Sequence, residues 1–548
     1  MTRSRRFPSR PFFQAATLLL VGLASAAHAQ APVYTLTGLG FLGSARNGYG
    51  YSNAVALNNR GQVTGYSNVY DGNHQYRGSA PFLYTSGTLT NLGNFGTSTL
   101  GSSLGGGQAI NSAGQVAGYS VVYDANHTMI GRDAFLYSGG VLTDLGNFGT
   151  PPAGGGSPYS TAVALNASGQ VTGNSNVYDA NHNALGQGAF LYSSGQLTDL
   201  GSLGTASNGY RFTIPAALNA SGQVVGYSAV YDANHTPHSN DAFLYSNGQM
   251  TDLGNLGGTG YSSFSAAVAI NDAGQIVGIT DVRDSNNNYI GQDAFLYSNG
   301  KMTDLGNFGS AGSGRGQSSP VAINNAGQVA GYSGVYSTDQ TYLGQDSFLY
   351  SNGKMTDLGN LETNSSGQAS SQPVALNASG QIIGTATAYD TDHTYIGSTP
   401  FLYSGGTLYN LSSLITGGVG WTGLSVTGIN DFGQIVGNGT HNGNPEAFLL
   451  TPALPVLSFL AFASPVPGGT VVTATVTLNG PAPTDTVVGL SSSDSSVVRV
   501  HRAVIVPAGS SSATFSINTY RSHVTKTVTI TATLGTVVQA QDLTISGR

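Results

Sequence analysis

The 548-residue chain contains no cysteine, one tryptophan, five methionines and only 8% charged residues. Without cysteine there is no disulfide to staple a domain and no thiolate for nucleophilic or zinc chemistry, so stability must come from burial and backbone pairing. Lysine and glutamate are scarce while glycine numbers 79, which removes good helix formers and favours short strands joined by turns. Basic clusters are missing, and no long apolar run follows the first 29 residues, so neither a nucleic-acid partner nor an integral membrane span is expected. Nucleophile elbow, P-loop and Rossmann fingerprints are absent as well.

What is there begins with an export signal. Arg3, Arg5, Arg6 and Arg10 precede the apolar run "AATLLLVGLASAA", which ends in the small-x-small pattern "AHA". This reads as a signal peptide over 1–29, and the protein is expected outside the cell or on its surface, as a monomer. The formal net charge is −7, and loss of those four arginines makes it −11. Residues 30–455 hold 9 basic against 22 acidic side chains, which also argues against anionic lipid.

The strongest signal is self-similarity. The pattern (L/I)-N-x-x-G-Q-(V/I) places asparagine at 58, 111, 166, 219, 271, 324, 377 and 430, at intervals of 52 to 55 residues. Each is followed by "(A/S/P)FLY", from Phe82 to Phe401, or by "AFLL" at Phe448, and then by "TDLG" or a relative. Every unit reads as four antiparallel strands with tight Asn- and Gly-containing turns. The last unit lacks its fourth strand, and "YTLTGLG" from Tyr34 supplies one before any first strand has appeared. Complementary partial repeats at the two ends suit a ring and not an open solenoid. The expectation is an all-β chain: an eight-bladed β-propeller over 30–452, with the N-terminal strand closing the last blade. Over 453–548 the composition turns to alternating Val, Thr, Ser and Ala, as in an Ig-like β-sandwich.

"INDAGQIVGITDV" and "QDAFLYSNGKMTDLGNFG" resemble the extracellular HAF-repeat family of bacteria over residues 34 to about 451. The resemblance implies an exported propeller-like protein. The family's histidine is replaced by Asp133, Asp241 and Asp293, by Gly188 and by Glu446, and Tyr stands where Trp is usual after Leu. The stretch "VGLSSSDSSVVRVHRAVIVPAGSSSATFSI" looks like the Ig-like modules of bacterial surface proteins.

Strand alternation puts the second-to-third hairpins and the divergent linkers on one decorated face of the ring, and the short uniform turns on the other. The refrain "VYDANH" falls in those hairpins. It carries candidate calcium ligands: Asp124, Asn126 and Asp133; Asp232, Asn234 and Asp241; and Asp284, Asn286 and Asp293. The plainer reading is a turn, since Asp and Asn favour local hydrogen bonds. The repeated histidines lack a tetrahedral zinc set. A unique site must use unrepeated residues: Tyr210, Arg211, Arg315 and Trp421 for a ligand, and Glu362 with Glu446 as a glycosidase-like pair. The expected role is a secreted or cell-surface, non-enzymatic binding or scaffold protein for a glycan or surface protein, without a cofactor. The alternative is an extracellular polysaccharide hydrolase or lyase.

Overall fold

The computed structural model describes residues 32–149, 158–257, 263–284, 286, 288–309, 316–453, 456–478, 482, 485–507, 510–535 and 537–547. The segment 1–29 read above as a signal peptide, and Arg315, lie outside them. The described chain is all-β, in several sheets, with one short 3-10 turn at Leu411–Leu414. Among the described residues no helix is long and apolar enough to cross a membrane.

Each repeat is built on the same plan. In the first, Ser52–Leu57, Val63–Tyr70, Tyr76–Thr85 and Thr88–Asn91 pair antiparallel in chain order. The phenylalanine of the third strand (Phe82, Phe135, Phe190, Phe243, Phe295, Phe348, Phe401, Phe448) is fully buried in all eight repeats. Burying one such ring contributes roughly 1.5–3 kcal/mol. Opposite it on the second strand stands a glycine, as in Gly173↔Phe190 and Gly437↔Phe448. A Cβ on Gly173 would sit 2.5 Å from the Phe190 ring and 2.0 Å from the Thr161 carbonyl oxygen. The glycine is therefore a packing requirement.

The N-x-x-G-Q turn joins neighbouring repeats as well as strands. Asn58 Oδ1 accepts from the Arg60 and Gln62 backbone N–H groups, and Nδ2 donates to Gln62 Oε1 and to the Asn111 carbonyl. All four hydrogen-bonding positions of this buried amide are thereby filled. Gly61 adopts φ +71°, and its Cα lies so close to Gln434 of the eighth repeat that a Cβ would meet that side chain at 2.9 Å. Asn111 donates in turn to Asn166, Asn166 to Asn219, Asn219 to Asn271, Asn271 to Asn324, Asn324 to Asn377, Asn377 to Asn430, and Asn430 back to the Asn58 carbonyl. The eight turns form one unbroken hydrogen-bonded cycle.

The two ends of the repeat region meet at the eighth repeat. Tyr34–Gly38 pairs antiparallel with Asn444–Pro452, from Tyr34↔Pro452 to Gly38↔Phe448. The eighth repeat also docks on the first. Asn438 exchanges hydrogen bonds with the Ala54 backbone at 2.7 and 3.1 Å, Ser52 Oγ accepts from Ala447 N–H, and Leu39, Val63, Phe82 and Leu449 share one apolar cluster.

After residue 456 two further sheets follow. Leu457–Phe462, Val471–Leu478, Val498–Val500 and Ser512–Thr519 form one; Thr486–Ser492, Ala503–Val506, Lys526–Leu534 and Val537–Ser546 carry the other, with Val466–Pro467 at its edge. Alternate residues of Val471–Leu478 point inward, and Val472, Val476, Phe515, Ile530 and Leu543 belong to one core between the sheets.

Candidate functional site

The "VYDANH" segments are hairpin turns. Asp124 Oδ1 accepts from the Asn126 and Thr128 N–H groups at 2.9 and 2.8 Å; Asp232 does the same for Asn234 and Thr236, and Asp284 for Asn286 and Asn288. The histidine that follows takes a left-handed conformation, φ +61° at His127. Its Nδ1–H donates to the Thr97 carbonyl of the linker before the repeat, at 2.8 Å, and His74, His235 and His393 reach Ser44, Thr205 and Thr363 in the same way. A carbonyl only accepts, so the proton sits on Nδ1. Each bond spans 30 residues, a constant offset visible in the sequence but not recognised there as a latch. Hairpins and linkers do share one face.

The proposed calcium sets are not drawn together. Asp133 pairs in register with Ser120, Asp241 with Ser228 and Asp293 with Thr280. Each lies four strand residues, about 13 Å at the usual rise, from the turn aspartate of its own repeat. The strand aspartates are buried and accept from linker asparagines: Asp133 from Asn147 at 2.8 Å, Asp241 from Asn255 at 3.4 Å and Asp293 from Asn307 at 2.9 Å. Among the described residues no three of His, Cys, Asp or Glu converge as a metal site.

These strand aspartates face the aspartate of "TDLG". Burial, aided by the neighbouring Asp144, Asp252 and Asp304 carboxylates, raises Asp133, Asp241 and Asp293 above the usual carboxylate range. Burial and contact with Asp357 push Asp346 up to about 6. In the turns Asp71 and Asp232 move the other way: hydrogen bonds, chiefly from Gln75 N–H to Asp71 and from Thr236 N–H to Asp232, hold them low.

Two of the unrepeated residues are explained by this pair. In the third repeat the strand aspartate is Gly188, and the guanidinium of Arg211 lies 3.5 Å from where its Cβ would be and pairs with Asp199. Arg211 therefore fills a missing partner's place and is not free to hold a ligand. In the eighth repeat the "TDLG" aspartate is Gly38, where a Cβ would stand 2.4 Å from Glu446 Oε1. Glu446 reaches across to accept from Gly40 N–H at 2.9 Å, the task that Asp144 performs for Gly146 at 2.8 Å. Glu362 accepts from Tyr389 N–H at 2.9 Å. The two glutamates serve separate backbone groups, Gly40 N–H and Tyr389 N–H. Tyr210 is exposed in the linker beside Arg211, four repeats from Trp421.

Trp421 heads the first strand of the eighth repeat, opposite His441 in register. The two rings stack with centroids 4.6 Å apart and planes 6° from parallel, and the Phe448 ring meets the indole edge-on. His441 Nδ1–H donates to Glu446 Oε2 at 2.9 Å, and Nε2 accepts from Asn442 Nδ2 at 3.2 Å. Glycines at 38 and 439 make the bed for the indole, since a Cβ on either would approach it to 3.2 or 3.1 Å. Trp421 so held walls a groove of about 450 Å³ between the seventh and eighth repeats, bordered by Ser398, Thr399, Ser412, Val419 and Thr422. Among its described lining residues none carries a charge.

The hairpin face shows one more feature that the sequence reading missed. The residue opening the third strand is exposed as Tyr76, Met129, Tyr289, Tyr342 and Tyr395. Three of these form edge-on pairs across the hairpin: Tyr70–Tyr76, Tyr336–Tyr342 and Tyr389–Tyr395, with centroids 5.8, 5.5 and 6.1 Å apart. The repeated spacing of Tyr, five residues of turn, Tyr was the available signal.

Residues 257–447, about a third of the chain, match a family model described as "Protein of unknown function (DUF3466)". No curated protein matches. Similar solved structures include domains 4 and 5 of the S-layer protein SbsC, 21% identical over 32% of this chain and 94% of that one, with a TM-score of 0.16. The longer S-layer protein rSbsC(31-844) is 14% identical over 69% of this chain, which spans 52% of it, with a TM-score of 0.16. Escherichia coli alpha-2-macroglobulin activated by porcine elastase is 9% identical over 94% of this chain and 53% of that one, with a TM-score of 0.13.

Proposed function

We propose that the chain is an exported binding or scaffold protein: an eight-bladed β-propeller of HAF-like repeats followed by an Ig-like spacer or docking module. The asparagine cycle and the docking of the eighth repeat on the first support a closed ring. The signal-like N-terminus supports export. One observation carries the binding role: the two faces are unlike. The turn face spends its polar groups on repeat-to-repeat bonds, whereas the hairpin face leaves tyrosines exposed at a repeating position, with Tyr395 at 62%. Exposed aromatic side chains with hydroxyl tips suit an extracellular glycan or surface protein. The carboxylates open to a hydrolytic role, Glu362 and Glu446, hold backbone N–H groups, which favours binding over turnover.

A glycan-array screen of the mature protein with parallel reducing-end assays tests this. Retention without release of reducing ends is expected, and retention falls in a Tyr342→Ser, Tyr395→Ser variant. Turnover would replace the binding reading with a hydrolase or lyase.

A further inference from the structure

We infer that Arg132, at the junction of the second and third repeats, is a subsite for one carboxylate of an acidic glycan, a uronate; this deepens the binding reading above and rests on it. The guanidinium lies in a sandwich. Its Cζ stands 3.5 Å from the centroid of the Tyr119 ring and 5.0 Å from that of Tyr159. Tyr119 faces Gly106 in register, where a Cβ would come to 3.2 Å from the ring, so the glycine leaves the phenol its place. Arg132 N–H donates to the Pro158 carbonyl at 3.0 Å, which ties this strand to the linker that carries Tyr159. A guanidinium held in this way has little freedom left to lose on binding.

Packing explains a flat side chain here but not its charge. The same position is Gln292 in the fifth repeat and Gln345 in the sixth, and their amides bond Asp281 and Gln372. Opposite Arg132 in register stands Val121, which offers no acceptor. Arg77 and Arg211 pair with Asp71 and Asp199, whereas Arg132 makes no ion pair among the described residues. The adjoining residues 150–157 include no acidic side chain. Arg132 Nε is buried without an acceptor, a desolvation cost that stacking alone does not require. Nη1 and Nη2 meet no acceptor among the described residues and reach solvent. Their N–H groups match the two oxygens of a carboxylate. The mature chain is strongly acidic and repels a polyanion, so one unpaired cation suits an isolated carboxylate in place of a nucleic acid or a densely sulfated chain.

The mature protein is titrated calorimetrically with oligosaccharides bearing one glucuronate or one galacturonate, and with the same oligosaccharides after reduction of the carboxyl to the alcohol. One acidic form should bind about tenfold or more tightly than its reduced counterpart. The advantage should shrink as salt is raised. Arg132→Gln, which installs the residue of the fifth and sixth repeats, should abolish the difference while leaving the melting temperature and retention of neutral glycans unaltered. Arg132→Lys keeps the charge without the fork and should restore only part of it. Equal affinity for every acidic and reduced pair, or an advantage kept by Arg132→Gln, overturns the subsite. A lowered melting temperature in Arg132→Gln without any acidic preference in the parent would make Arg132 a structural clamp. Tighter binding of an aspartate-rich peptide than of either uronate would overturn the assignment to a glycan. If neutral glycans are still retained through Tyr342 and Tyr395 in any of these cases, the binding reading stands and only the Arg132 assignment fails. If no glycan is retained, both fail.

Discussion

Asn430 Nδ2 donates to the Asn58 carbonyl oxygen at 3.0 Å, joining turns 372 residues apart in the chain. Its Oδ1 accepts from the Phe432 and Gln434 N–H groups, so one buried amide holds its own turn and the junction between last and first repeats. Asn430→Ala takes the side-chain acceptor from the Phe432 and Gln434 N–H groups and one of two donors from the Asn58 carbonyl, which keeps Gly61 N–H, and is expected to cost about 1–3 kcal/mol. The exposed neighbour Asn59, bonded to Asp431, is the control, and its alanine variant should change stability by about 0.5 kcal/mol or less. Urea midpoints of the two variants decide. Equal midpoints would mean that the cycle carries no weight.

The N-terminal strand makes a related prediction. Tyr34 is buried, Leu36 packs on the same cluster as Leu450 and Phe448, and both lose their cover without it. A protein beginning at residue 42 should melt well below the mature protein, and adding a peptide of residues 32–41 should restore part of the loss. An unchanged melt removes closure of the eighth repeat by this strand.

Much of this was legible because the repeats were. Asparagine spacing located every turn, and the partial repeats foretold that residues 34–40 lie beside 446–451. The partners across repeats were not legible, because they depend on which turn lies beside which in space. Asn58 is chemically satisfied by its own turn on paper, and only the structure shows its second proton going to Asn111. The exchange at Glu446 did leave a trace. Aligning repeats puts Glu446 and Gly38 in the two aspartate columns at once, a lengthened carboxylate facing a vanished one. Read as single unusual residues, Glu446 and Arg211 looked functional; read as columns, they are compensations.

The hairpin latch can be separated from a metal site. His127 sits at φ +61°, where a β-branched residue is strained by about 1–2 kcal/mol while asparagine is tolerated. His127→Val should speed hydrogen exchange at the Asn126 and Thr128 amides more than His127→Asn does. Chelator and millimolar calcium should leave both exchange and melting unchanged, since Asp124 Oδ1 already receives those two N–H groups. A calcium-dependent rise in melting temperature would reinstate a cation at Asp124 and Asn126.

Asp346 predicts a pH dependence. Its carboxyl, at about 6, binds a proton more tightly in the folded chain than at the ordinary 3.8. The stability linked to that proton is complete below pH 3.8 and is lost as pH rises through about 6. Asp346→Asn should therefore melt higher than the parent at pH 8 and alike at pH 4. Asp133, Asp241 and Asp293 shift in the same direction. The low-lying Asp71 and Asp232 oppose them only as pH falls below the usual carboxylate range. A parent protein most stable at pH 8 would contradict the assignment.

Arg211 supplies the sharpest test of the division between structure and ligand. Its guanidinium contacts both Asp199 oxygens, with Nη1 to Oδ1 at 3.1 Å, and occupies the space left by Gly188. Arg211→Ala removes a partly exposed ion pair and should cost less than about 1 kcal/mol. Because Asp199 can still accept from Gly201 N–H, the third repeat keeps its fourth strand. Glycan retention by the Arg211→Ala variant should equal that of the parent, whereas variants at Tyr342 or Tyr395 lose it. A selective loss in Arg211→Ala would return Tyr210 and Arg211 to the ligand site and move the binding region to the opposite side of the repeat cycle.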